Sequence, residues 1–271
     1  MKRSTATWAI SAIVYLGIII IGYSVYANMN PKTEVTDDHN SKKSDQHNSK
    51  NEHTDHEESD MSEVIPKVAY ANGITTVELK DKNNNAPELE VSHEKLMHLI
   101  VVSSDLEEYH HFHPEEANEG IYQNKFDLVD NSYKAFVDIK PKGLSYSVQP
   151  IEFHVGKIHQ KNNGNNLVVD KNFTKTINNQ PVELKTTEFD VNKEITLDFD
   201  LKSAKPEPYL GALGHVVILD ENAENFIHVH PVSDDQTVFK TEFTKPGVYK
   251  MWAEFKFGEQ VNAYPFVIEV K

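Results

Sequence analysis

One pattern is written twice in this chain, and no other feature limits its possible folds as much. Residues 97–114 read MHLIVVSSDLEEYHHFHP and residues 214–231 read GHVVILDENAENFIHVHP, at equal length. His98 matches His215, His111 matches His228, His113 matches His230 and Pro114 matches Pro231, while most residues between them differ. Both copies therefore carry His-x12-His-x-His-Pro. Self-similarity at a long period means one structural unit used twice. Flanking segments extend the match: TTVELKD from Thr75 aligns with ITLDFDL from Ile195, and KPKGLSY from Lys140 with KPGVY from Lys245. Each unit then spans roughly 100 residues, the size of an immunoglobulin-like sandwich.

From Glu63 onward, short runs rich in Val, Ile, Phe, Tyr and Thr alternate with Asn, Gly and Pro clusters. Examples are HLIVV from His98, YKAFVDI from Tyr133, HVVIL from His215 and VNAYPFVIEV from Val261. No stretch holds a 3.6-residue period. The expected fold class is all-β, with two tandem β-sandwich domains over residues 63–160 and 161–271. The polar stretch QKNNGNN, residues 160–166, is the expected linker.

Spacing also predicts how the histidines lie. A hairpin whose turn is centred between Asp105 and Leu106 sets His98 opposite His113. His111 lies two residues along, on the same face, because strand side chains alternate. Opposed β-carbons are about 4.5–5.5 Å apart, so three imidazoles converge on one ion at bonds of about 2.0–2.1 Å. The second copy, with its turn centred between Asn222 and Ala223, does the same with His215, His228 and His230. The expectation is two separate metal sites: His98, His111 and His113 in one, His215, His228 and His230 in the other. All-nitrogen ligation suits Cu(II), Zn(II) and Ni(II), with copper the first expectation and zinc the second. Met97 points to the opposite strand face and is not counted as a ligand. His93, His110, His154 and His159 read as ordinary histidines. Glu115 and Glu116 are candidates to support the first site from behind.

The N-terminus predicts export. Lys2 and Arg3 precede an apolar run over residues 8–27, long enough at about 1.5 Å per residue to cross about 30 Å of hydrocarbon. The positive flank directs the remainder outward. Residues 1–27 are a retained signal anchor or a removed signal peptide, the length favouring the anchor. Residues 28–62 hold His39, His47, His53 and His56 among many carboxylates and almost no large apolar group. Such a segment is expected to be a disordered tether that collects divalent metal weakly. A net charge of −15 argues against nucleic acid and favours cations. The absence of cysteine excludes disulfides, thiolate sites and blue-copper centres.

The quoted motifs, with the lead-in PYLGALGH before the second and KPGVYKMWAEF after it, resemble a family of exported bacterial proteins with tandem immunoglobulin-like domains. More distantly they are similar to copper-associated YtkA-like and cupredoxin-like sandwiches. The resemblance covers residues 63–271 and implies heavy-metal handling at the cell envelope, with an envelope metal-handling protein as partner. The first unit departs from the pattern in carrying Met97 where the second has Gly214, which is expected to reshape its site. No Ser-His-Asp order, phosphate loop or HExxH is present, so no enzyme is expected. The competing expectation is a membrane-tethered interaction module whose histidines are structural.

Overall fold

The computed structural model describes residues 62–157, 167–229 and 231–271. The apolar run at the N-terminus, nearly all of the acidic tether, His159, the linker stretch 160–166 and His230 lie outside the described residues. Residues 56–271 belong to one compact unit.

The first half contributes β1 (Val64–Ala71), β2 (Ile74–Asp81), β3 (Leu89–Glu90), β4 (Met97–Ser103), β5 (Tyr109–Phe112), β6 (Glu115–Asn118), β7 (Ile121–Lys125), β8 (Asn131–Pro141) and β9 (Pro150–Val155). The second contributes β10 (Thr174–Ile177), β11 (Gln180–Thr186), β12 (Ile195–Asp200), β13 (His215–Asp220), β14 (Phe226–Val229), β15 (Val238–Thr241), β16 (Gly247–Phe257) and β17 (Gln260–Val270). Each half is a sandwich of two antiparallel sheets. The first stacks β1-β2-β7-β6 on β3-β8-β4-β5, with β9 also on β8; the second stacks β10-β11-β12-β15 on β14-β13-β16-β17. Turn chemistry follows the sequence. Asn72 and Gly73, both at positive φ, make the tight hairpin between β1 and β2 that an Asn-Gly pair favours.

Hairpin registers are those the turn positions require. Ile100 lies opposite His111 on β5, and Val217 opposite His228 on β14. On its other side β4 pairs with β8, setting His98 opposite Asp138. Likewise β13 pairs with β16, setting His215 opposite Glu254. This corrects one alignment. Residues 133–140, YKAFVDIK, correspond to residues 249–256, YKMWAEFK, because β8 and β16 hold the same place in their sheets. Lys140-Pro141 ends β8, whereas Lys245-Pro246 precedes β16.

All seven residues of β4 are buried, which a sheet with one wet face does not allow. Leu99 and Val101 point into the first sandwich's core with Val77 and Leu79. Val216 and Ile218 do the same in the second, with Leu197 and Phe199. The opposite faces meet each other: Ile100, Val102, Leu106 and Phe136 pack on Val217, Leu219, Ala223 and Trp252. Burying such a side chain is worth about 1.5–3 kcal/mol, so this shared core outweighs any surface ion pair at about 0–1 kcal/mol.

Polar and aromatic contacts across this face come in reciprocal pairs. Tyr109 stacks on Trp252 at 4.7 Å between ring centroids, and Phe226 stacks on Phe136 at 5.2 Å, both at 14°. Lys134 donates to the Asn222 carbonyl at 2.9 Å and pairs with Glu224; Lys250 donates to the Leu106 carbonyl at 2.6 Å. Each half's β8 or β16 lysine thus holds the other half's hairpin turn.

Candidate metal centre

The two motifs occupy the same end of this shared face, and their described histidines, His98, His111, His113, His215 and His228, form one cluster. Ring centroids of His98, His111 and His113 lie 4.6–5.3 Å apart. One ligand nitrogen from each of the three falls within 4.8 Å of the others, a group able to hold a metal ion. Across the interface the His228 ring is 5.4 Å from His98 and 5.8 Å from His111. His215 is 6.4 Å and 6.2 Å from the same two. The two triads expected from the repeat therefore lie beside one another; His230, the third residue of the second, is outside the described residues. Each motif faces outward from its own sandwich, and the apolar residues beside it drive the two outward faces together.

Hydrogen bonds fix which nitrogen of each ring carries the proton. His98 Nε2 lies 3.1 Å from the Ser92 carbonyl and His215 Nε2 lies 2.9 Å from the Tyr209 carbonyl. A carbonyl only accepts, so both Nε2 atoms donate and both Nδ1 atoms keep the lone pair. His111 Nδ1 donates to Glu254 at 2.6 Å, and His228 Nδ1 donates to Asp138 at 2.8 Å; their lone pairs are on Nε2. A carboxylate or carbonyl behind one imidazole nitrogen, orienting the other toward the ion, is the usual setting of a metal-bound histidine. The carboxylates cross over: each sandwich orients a histidine of the other.

The result at the centre is an electrostatic conflict that a cation resolves. His98 Nδ1 and His111 Nε2 face each other at 3.0 Å, and in the neutral rings both are lone pairs. A proton on His98 Nδ1 is disfavoured near neutrality, because burial and the neighbouring His111 hold His98 down to about 4. A metal ion suits the spacing, since two nitrogens bonded to one ion at about 2.0–2.1 Å are about 2.9 Å apart at right angles and about 3.3 Å apart at the tetrahedral angle. His113 is pushed down to about 2 by burial and the adjacent His111, and its buried Nε2 has no hydrogen-bond partner among the described residues. Burial lowers His215 to about 4 and puts His228 well below the usual histidine range. The rings of His98, His113, His215 and His228 are thus neutral at pH 7.

Other residues fall as follows. His93, read from sequence as ordinary, sits in the turn before β4 with its ring 6.2 Å from His98 and 6.3 Å from His215. It was missed because it lies outside the repeat, where the second unit has Leu210. Asp138 and Glu254 were missed because the flanking alignment was displaced; the shared YK-x3-(D/E)-x-K pattern marks both. Glu115 and Glu116 are exposed on β6, and Glu116 accepts the Gly120 N–H, so neither supports the centre. His110 stacks on Phe112 and packs against Phe126, and His154, exposed on β9, meets Ser132 of β8. Met97 fills the first core and does not shape the site. Its counterpart Gly214 has no room for a side chain: a Cβ there would lie 2.6 Å from Phe255 and 2.8 Å from the Glu254 carbonyl.

Among solved structures, the chain is similar to the BSP domain of a biofilm associated protein at 12% identity, with 77% of this chain and 30% of that one covered and a TM-score of 0.23. It is similar to a segment of two fibronectin type-III domains from chicken tenascin at 8% identity, covering 76% and 97%, TM-score 0.24. The Escherichia coli adhesin FdeC matches at 14% identity over 78% of this chain and 64% of that one, TM-score 0.24. The chain spans 30% of the length of the first of these. No curated protein matches it. The profile of a family described as a domain of unknown function matches residues 54–156 and 175–271, and the chain belongs to that family, DUF8832.

Proposed function

We propose that this protein binds a divalent transition metal, copper or zinc, through His98, His111 and His113, and buffers or delivers it outside the cytoplasm. The observation that carries this reading is the pair of facing nitrogens, His98 Nδ1 and His111 Nε2, 3.0 Å apart, each with a partner behind its ring at the other nitrogen. Nitrogen-only ligation suits Cu(II) and Zn(II) and disfavours Mg(II) and Ca(II), which take oxygen. The charged and apolar N-terminal segment supports display on the outer face of a membrane, with the acidic, histidine-rich residues 28–62 as a low-affinity collector. A role in delivery implies an envelope protein that receives the ion.

The test is a titration of the full chain, prepared without an added histidine tag and stripped with chelator. The parent is expected to bind Cu(II) or Zn(II) in a tight class that a His98→Ala, His111→Ala double variant lacks. The weak class from the tether remains in both. Identical isotherms for parent and double variant would overturn the reading and favour an interaction module with structural histidines.

A further inference from the structure

The three histidines of the first sandwich leave one position of a tetrahedral ion unfilled. Building on the metal-binding reading above, we infer that His228 of the second sandwich fills it, so that a single ion is held by His98, His111, His113 and His228 and ties the two sandwiches together. Four imidazoles sharing one tetrahedral ion have ring centroids roughly 5 Å apart. His228 stands 5.4 Å from His98 and 5.8 Å from His111, so contractions of roughly 0.4 and 0.8 Å bring these two pairs to that spacing. Its Nδ1 is committed to Asp138, which places the lone pair on Nε2. The ring is buried.

The framework around this ligand is built for the position. Asp138 lies on β8 directly opposite His98, so the carboxylate orienting His228 is anchored in the ladder that carries His98. Glu254 lies opposite His215 and orients His111. A divalent ion in this buried place meets two carboxylates, each one hydrogen bond behind a ligand. That balances its charge without a charged ligand in direct contact. A centre closed by four nitrogens has no open position for substrate, as expected of a site that holds or passes on an ion.

Co(II) titration of the full chain tests this, because four-coordinate Co(II) absorbs far more strongly in the visible than the five- or six-coordinate ion. The parent is expected to bind one tight equivalent with intense bands. His228→Ala should lower affinity at least tenfold and weaken the bands as water enters. Asp138→Asn, which keeps the imidazole and loosens its orientation, should lower affinity by about 10–100-fold; it also serves if His228→Ala does not fold. Two tight equivalents, with His98→Ala and His228→Ala each removing only one, would overturn the inference in favour of separate sites. So would an unchanged affinity and spectrum in both His228→Ala and Asp138→Asn. Absence of tight binding by the parent would instead sink the metal-binding reading itself.

Discussion

Glu254 accepts the Nδ1–H of His111 at 2.6 Å although 143 residues separate them in the chain. One lies in the second sandwich and the other in the first, and both side chains are almost fully buried. Glu254→Ala leaves a buried imidazole N–H without its acceptor, which costs about 1–3 kcal/mol. Chemical denaturation of the metal-free protein should show a loss of that size. Glu254→Gln keeps an acceptor and should cost less in stability while still lowering metal affinity by about 10–100-fold. Equal affinity for parent and Glu254→Gln would show that the carboxylate does not set the ligand.

The shared core predicts that the two sandwiches unfold together. Tyr109, Phe136, Phe226 and Trp252 are interleaved across the interface, so separating the halves exposes apolar surface on both. Calorimetry on the metal-free protein should show one transition for residues 63–271. Trp252→Ala should destabilise by about 3–5 kcal/mol and split that transition. Two transitions already present in the parent would mean the halves are independent.

The N-terminal segment predicts topology. With Lys2 and Arg3 ahead of the apolar run, residues 28–271 are expected outside the cytoplasm. Protease added to intact cells or protoplasts should digest both sandwiches. Full protection of both would contradict that topology.

Much of this fold was legible because its determinants are local. Turn positions within each motif set the hairpin register, and alternation set the histidines on one face of β4 and β13. What remained hidden was the object that face meets. A sandwich with one wet sheet would alternate, yet MHLIVVS is apolar on both faces of β4, and this continuous run marks a strand covered on two sides. The repeat was read as two copies of a site because each motif alone supplies three imidazoles. That the two half-sites converge depends on Ile100, Val102, Val217 and Leu219 beside them, whose burial joins the sandwiches. Asp138 and Glu254 escaped notice for a related reason. Their roles arise across the interface and not within the hairpin, so only the correspondence between residues 133–140 and 249–256 reveals them.

Burial of the histidines also sets how the metal-free protein responds to acid. His98 and His215 are both held down to about 4 and His113 to about 2, with burial as the first cause in each case. His93 and His228 are lowered for the same reason. In the unfolded chain these rings titrate near about 6.5. Below that value the unfolded state binds protons that the folded state refuses, so stability falls as pH falls. Loss should begin near pH 6.5; for His98 and His215 it should level off only below about 4. At about 1.36 kcal/mol per pKa unit, each of these two contributes on the order of 3 kcal/mol, a large share of a typical total of about 5–15 kcal/mol. Asp138 faces the same cluster, and burial raises its carboxyl above the usual range. It takes up a proton in the folded state first and offsets part of the loss in acid. Denaturant midpoints measured from pH 7.5 to 4 should therefore fall most steeply between pH 6.5 and 4. Replacing His98 and His215 together with Asn should lower stability at pH 7.5 and flatten this slope. An unchanged slope in that double variant would assign the acid sensitivity to other groups.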